Sequence, residues 1–302
     1  MGRLTYRVIY IGRLLMLNIN TNYAASFASN AAKSSSQGLN SAMEKLSTGM
    51  RINYAKDDAA GQAISTRLSA EVQGLQTASR NAADAQSMID TAEGALQETH
   101  NVLLRMRELA VQSANGTLTD GDRAHTDAEF DQLVEEITRI ATNTAWAGKT
   151  MLNGDVDGTT GNDALSFQIG EGANQVITVT IADMSASSLG TATGSSAVAL
   201  TSAGLDSATA AQGAIESIDN AIDSVSTARG GMGAVSNRLS STMSNLDQIA
   251  VNLSASQGRI QDADFAQETG NLAKNQILQQ AATAMIAQAN ASKSSVLTLV
   301  RG

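Results

Sequence analysis

Two runs of apolar residues, each recurring every seven positions, constrain what this chain can fold into. The first is Leu68, Leu75, Ala82, Ile89, Leu96, Leu103 and Ala110, with Ala78, Ala85, Ala92, Thr99 and Met106 three residues after most of them. The second is Ile218, Val225, Met232, Leu239, Leu246, Leu253 and Ile260, with Ile215, Ile222, Met243 and Ala250 as companions. Paired seams sustained over this length predict long helices that supercoil around each other. The expected fold is mainly α: a long antiparallel coiled-coil rod with a small β-hairpin region and disordered or helical termini.

Composition supports the rod and narrows the chemistry. The 302 residues include no proline, so nothing in the chain forces a helix to break. They include no cysteine, which excludes disulfides, thiolate nucleophiles and sulfur-ligated metals. Aromatics make up 3%, too few for the ring-rich core of a compact enzyme and suited to a slender bundle packed with Ala, Leu, Ile and Met. A net charge of −9 argues against nucleic acid as a partner, because phosphate binding needs basic stripes. No run reaches the roughly 18 to 20 apolar residues of a membrane span.

Residues 1–16, MGRLTYRVIYIGRLLM, stand apart. Arg3, Arg7 and Arg13 punctuate an apolar run too broken for a secretory signal. Translated upstream sequence before a start at Met16 accounts for them; a basic amphipathic membrane anchor is the competing reading.

Beyond them the chain reads in order as weak helix, strong coil, β and loop, strong coil, weak helix. Residues 17–46 carry a thin stripe of Ile19, Tyr23, Phe27 and Ala31, continued by Leu39, Met43 and Leu46, in an Ala/Ser-rich background. Such a helix has little apolar area to offset the entropy of ordering, so it should order only against partners. Gly49 and Asn53 suit a turn, and Asp57 or Asp58 can cap a helix from about 59 to about 114. Asn115-Gly116 ends it, and Thr119, Asp120 or Asp122 can start another, striped by Phe130, Leu133, Val134, Ile137, Ile140 and Ala141. Leu165–Ile169 and Val176–Ile181 read as the strands of a hairpin within 164–182. The Ser/Thr/Ala-rich stretch 183–207 reads as an exposed loop. Asp262-Ala263-Asp264 interrupts the second coil, and 269–300 mirrors the weak first helix, with only Lys274 and Lys293 charged. Antiparallel pairing of the strong coils would bring both weak termini to one end of a rod and the loop near the other.

Catalytic constellations are sparse. His100 and His125 fall on different predicted helices, and the pairs Asp57-Asp58 and Glu135-Glu136 are adjacent rather than facing. Asn153-x-Asp155-x-Asp157-Gly158 matches the opening of a calcium loop, but Ala164 stands where the closing glutamate belongs. Calcium at Asn153, Asp155 and Asp157 and a solvated Asp/Gly turn are the two readings. No cofactor is otherwise expected, and no enzymatic activity.

At this point the sequence resembles bacterial flagellin. The stretches that carry the resemblance are INTN at 19–22, LSTGMRINYAKDDAAGQAIS at 46–65, RNAADAQSMIDTAEGAL at 80–96, LLRMRELAVQSANGT at 103–117, GMGAVSNRLSSTMSNL at 231–246 and RIQDADFAQETGNLAKNQILQQAATAMIAQAN at 259–290. The resemblance implies a structural subunit that polymerises into an extracellular filament for motility. It divides the chain into a terminal coiled-coil domain (17–56 and 260–302) lining the filament core and a helical rod domain (57–182 and 208–259). The loop 183–207 replaces the outer domains, so the form is minimal. The implied partners are copies of itself, the flagellar export machinery with a chaperone, and a host innate flagellin receptor.

Leu104 and Leu109 lie off the first seam beside Arg105, and either pack under the helix at 130–141 or meet a neighbouring subunit. By resemblance, Arg105, Leu109 and Glu129 match the receptor-recognition motif. A hook–filament junction protein shares the terminal architecture, and a cell-surface ligand- or polysaccharide-binding homologue would reuse the fold. The full LQQAATAMIAQAN stretch favours the filament subunit over the junction protein.

Overall fold

The computed structural model describes residues 21–154, 164–191 and 198–301. The 1–16 extension and most of the Asn153–Gly158 motif lie outside them. Five helices and two small hairpins follow in order: α1 (Tyr23–Thr48), α2 (Ala59–Ser113), α3 (Asp120–Asn143), β1 (Ala145–Trp146), β2 (Lys149–Thr150), β3 (Ala164–Gln168), β4 (Val176–Thr180), α4 (Ala208–Gln261) and α5 (Phe265–Arg301). The fold is mainly α, as the seams predict. Contacts separate two compact units, one spanning Arg67–Ser256 and one formed by the flanking segments up to Thr66 and from Gln257.

In the larger unit every member of the first seam is buried, from Leu68 to Ala110, together with Ala78, Ala85, Ala92, Thr99 and Met106. On α4, Ile218, Val225, Met232, Leu239 and Leu246 are buried, while Leu253 is half-buried. Three side-chain contacts fix the pairing as antiparallel: Arg107 Nε to Asp219 Oδ1 at 2.7 Å, Arg229 Nη2 to Glu93 Oε1 at 3.6 Å, and Ser79 Oγ to Asp247 Oδ1 at 3.1 Å. The α4 companions need correction. Ile215, Ile222 and Met243 are half-buried and pack on the core from its flank, whereas Ala211, Ala214, Ser217 and Ala221 take the fully buried places. Small residues there let α4 lie close to its neighbours, and the larger isoleucines are displaced to the rim.

Helix α3 begins with a reciprocal cap. Thr119 Oγ1 accepts the Asp122 N–H at 3.3 Å, and Asp122 Oδ2 accepts the Thr119 N–H at 3.2 Å. Its stripe buries Phe130, Val134, Ile137 and Ala141 in the same core. Beyond it, Ala147 and Gly148 have φ of 49° and 82°, the left-handed pair that a tight two-residue hairpin requires, so β1 turns directly into β2. This hairpin is too short to leave an alternation in the sequence. The expected second hairpin is β3–β4, paired antiparallel from Ala164 with Thr180 to Gln168 with Val176. Asn81 Nδ2 holds it to α2 by donating to the Gln168 carbonyl at 3.0 Å.

The stretch 183–207 is not an exposed loop where it is described. Met184, Ala186, Leu189, Leu200 and Leu205 are buried in the core. Its backbone is pinned by Met184 N–H to the Leu152 carbonyl (2.9 Å), Leu200 N–H to the Leu189 carbonyl (3.1 Å) and Leu205 N–H to Asp127 Oδ1 (2.6 Å). Widely spaced apolar residues among Ser, Thr and Ala gave no periodic signal, yet each fills a gap in the core.

In the flanking unit α1 and α5 pair antiparallel. Asn22 Nδ2 reaches the Ala289 carbonyl (3.2 Å) and Asn290 Oδ1 (3.3 Å) at one end, and Lys45 Nζ meets Glu268 Oε1 at 3.4 Å at the other. Asn22 caps α1 through the Ala25 N–H, and Gly49, with φ of 73°, closes it. The strand-like crossing that follows ties the Arg51 N–H to the Gln261 carbonyl (2.7 Å) and the Ala263 N–H to the Gly49 carbonyl (2.9 Å). Of the two candidate caps, Asp58 takes the start of α2 by accepting the Gly61 N–H at 2.9 Å. Asp57 instead accepts the N–H groups of Asn53 and Tyr54.

Candidate assembly interface

Buried residues of the α1–α5 pair are small and few: Ala28, Ser35 and Ala42 on α1, Ala282 and Ala289 on α5. Their spacing of seven lets the helix backbones approach closely, but it buries little apolar area. Leu39, Leu46, Leu272 and Ile286 are half-buried, and the remaining large apolar side chains among the described residues of the pair are turned outward. Tyr23 is 72% exposed, Phe27 78%, Ile277 65% and Met285 62%. Tyr23, Phe27 and Met43 are therefore not packed into the buried seam between α1 and α5. Between the helices Phe27, Ala28, Ala31, Leu278, Ala282 and Met285 line an open groove of about 440 Å³. Exposed apolar residues concentrated on one element mark a contact surface. Sequence reasoning placed assembly in the termini without identifying Ile277, Leu278 and Met285. Their signal was apolar residues on α5 out of phase with its seam.

The four residues expected at a subunit or receptor contact divide. Leu104 is 44% exposed on α2. Arg105 is exposed and forks onto Glu129 of α3, Nη2 to Oε1 at 2.8 Å and Nε to Oε1 at 3.0 Å, while its Nη1 reaches Glu108 Oε2 at 3.0 Å. Hydrogen bonding to Glu129, then to Glu108, raises the pKa of Arg105 above its ordinary value. Leu109 is only 2% exposed and joins the core cluster that holds Phe130 and Ile137. It therefore follows the packing reading and supports the patch from below, because α2 must cover α3 as well as the coil seam.

His100 is half-buried on α2 and His125 exposed on α3. Asn153 is half-buried, while Asp155 and Asp157 lie outside the described residues. Among the described residues no three His, Asp or Glu side chains gather to hold a metal ion. No helix among them is long and apolar enough to cross a membrane.

Comparison with known proteins matches both ends of the chain. Residues 19–157 match the family described as bacterial flagellin N-terminal helical region, and residues 215–300 match the bacterial flagellin C-terminal helical region. A flagellin of Bacillus subtilis is 42% identical over 304 aligned residues, covering 94% of this chain and 100% of the relative. A flagellin of Halalkalibacterium halodurans is 43% identical, covering 86% and 91%. A flagellar filament 33 kDa core protein of Treponema phagedenis is 40% identical, covering 94% and 99%. A solved structure from Vibrio parahaemolyticus, described as a flagellar hook-associated protein, overlays 68% of this chain and 100% of its own with a TM-score of 0.56 at 17% identity, a likeness of fold alone.

Proposed function

Because the chain belongs to the bacterial flagellin family, it is a structural subunit of the extracellular flagellar filament, and we propose that the outward apolar face of α1 and α5 is what joins one copy to the next. The observation that carries this reading is the inversion of the pair: small residues inside, Tyr23, Phe27, Ile277 and Met285 outside. Neighbouring copies would bury those side chains, each contributing roughly 1.5–3 kcal/mol when fully covered. Ordering of the terminal helices would then be coupled to polymerisation, as for segments that fold on binding. The family is structural, and we assign this chain no catalytic role. The exposed Leu104, Arg105 and Glu129, braced by Leu109, form a second contact surface for a neighbouring subunit or for a host flagellin receptor. Before export, a chaperone of the export machinery would cover the same α5 side chains.

The test is a double substitution, Phe27→Ser with Met285→Ser. Both sites are exposed, so the monomer should keep its helicity and elution volume. Purified variant should fail to grow filaments by light scattering and electron microscopy. Normal filaments from the variant would remove the α1–α5 face from assembly.

A further inference from the structure

The turn between α2 and α3 carries chemistry that assembly does not use. It holds Asn115-Gly116, both exposed and outside the helices. Asn115 Oδ1 accepts the Thr117 N–H at 3.3 Å. A side-chain turn of this kind folds the carbonyl back over the peptide that follows it, where the Gly116 nitrogen lies. The oxygen of that same peptide, the Asn115 main-chain carbonyl, accepts Arg123 Nη2–H at 3.0 Å and the Leu118 N–H at 3.3 Å. Arg123 is 6% exposed, and its Nε and Nη1 are buried without an acceptor among the described residues. A desolvated cation therefore sits on the oxygen of the one peptide whose nitrogen can reach the side-chain amide.

We propose that this turn is a self-modification site at which Asn115 loses its amide, the Gly116 nitrogen acting as nucleophile and Arg123 promoting the reaction. Solvent hydroxide removes the Gly116 amide proton. The resulting negative charge spreads onto the Asn115 main-chain oxygen, where Arg123 and the Leu118 N–H stabilise it as a preformed pair of donors. The nitrogen attacks Asn115 Cγ, whose carbonyl is polarised by the Thr117 N–H. The new N–Cγ bond closes a five-membered imide, the Cγ–Nδ2 bond breaks, and Nδ2 takes a proton from solvent and leaves as ammonia. Water then opens the ring. Addition at Cγ gives aspartate, and addition at the main-chain carbon gives isoaspartate with the backbone rerouted through Cβ. The sequence is hydrolytic and needs no oxidant. Isoaspartate moves the oxygen that Arg123 holds, so the product loosens this turn.

The experiment follows residue 115 by peptide mapping and isoaspartyl methyl transfer during incubation at mildly alkaline pH. It compares the full-length protein with a synthetic peptide of residues 110–121. Conversion in the folded protein should exceed that in the peptide by about tenfold, with isoaspartate the main product. Gly116→Ala should suppress it without disturbing the fold, because a Cβ at Gly116 meets open space. Arg123→Gln should bring the rate down towards that of the peptide. The protein-to-peptide ratio stands even if Arg123→Gln fails to fold. Conversion in the folded protein no faster than in the peptide, or undiminished by Gly116→Ala, overturns the proposal.

Discussion

Alanine in place of glycine should move stability in opposite directions at two positions. Gly190 has φ of 87°, and a Cβ there would stand 2.8 Å from the Val198 carbonyl oxygen, a backbone atom that cannot step aside. Gly190→Ala should destabilise by about 1–3 kcal/mol. Gly231 lies inside α4 with open space around its missing Cβ, so Gly231→Ala should stabilise by roughly 0.5–1 kcal/mol. Thermal unfolding followed by circular dichroism reads both signs. Asp122 supplies a pH signature. Hydrogen bonds from the Thr119 hydroxyl and then the Thr119 N–H hold its carboxyl below the ordinary aspartate range. A depressed folded-state pKa gives stability that is present above the unfolded-state value and lost as pH falls through the folded-state value. Thermal unfolding measured as pH falls below the usual carboxylate range should show this loss, and Asp122→Asn should flatten that part of the profile. A start at Thr119, Asp120 or Asp122 was legible beforehand; the structure assigns the cap to Thr119, with Asp122 as its reciprocal partner. The choice between Asp57 and Asp58 was not, because adjacent carboxylates offer the same chemistry and only the path of the backbone assigns them.

At the scale of elements, periodic burial made α2, α3 and α4 readable from sequence, and β-branched runs made β3 and β4 readable. The second seam shows where that reading ends. Ile215 and Ile222 outrank Ala214 and Ala221 in hydropathy, but distance between helices decides who sits inside, and sequence does not state distance. Two substitutions test the corrected register. Ala221→Leu should overpack the interface and destabilise by about 1–3 kcal/mol, while Ile222→Ala should cost less than the roughly 2–5 kcal/mol of Leu96→Ala at a fully buried position. Equilibrium denaturation of the three variants would reverse the assignment if Ile222→Ala proved the costliest. The segment 183–207 escaped for another reason. Its apolar residues answer to the shape of a cavity formed by distant elements, not to any repeat of their own.

For the whole molecule, the sequence announced that the termini are assembly segments, through their low apolar content and through likeness to a known family. It did not announce which faces. That depends on the Ala28, Ser35 and Ala42 seam winning the inside over Tyr23 and Phe27. If ordering is coupled to association, amide exchange in α1 and α5 should be fast in dilute protein and slow in filaments, with α2 and α4 protected in both; equal protection of α1 and α5 in both states would contradict the coupling. The same seam has a mechanical corollary. Over Ala28, Ser35 and Ala42 each seventh place offers α5 nearly the same small side chain, so this part of the α1 seam does little to distinguish one repeat from the next. Among the described residues, Asn22 on Ala289 and Asn290 and Lys45 on Glu268 act as detents at the two ends of the pair, and the Asn275 side chain seated against Gly38 marks a place between them. Alignment of the pair thus leans on a few polar catches, and releasing Lys45 from Glu268 frees one of them.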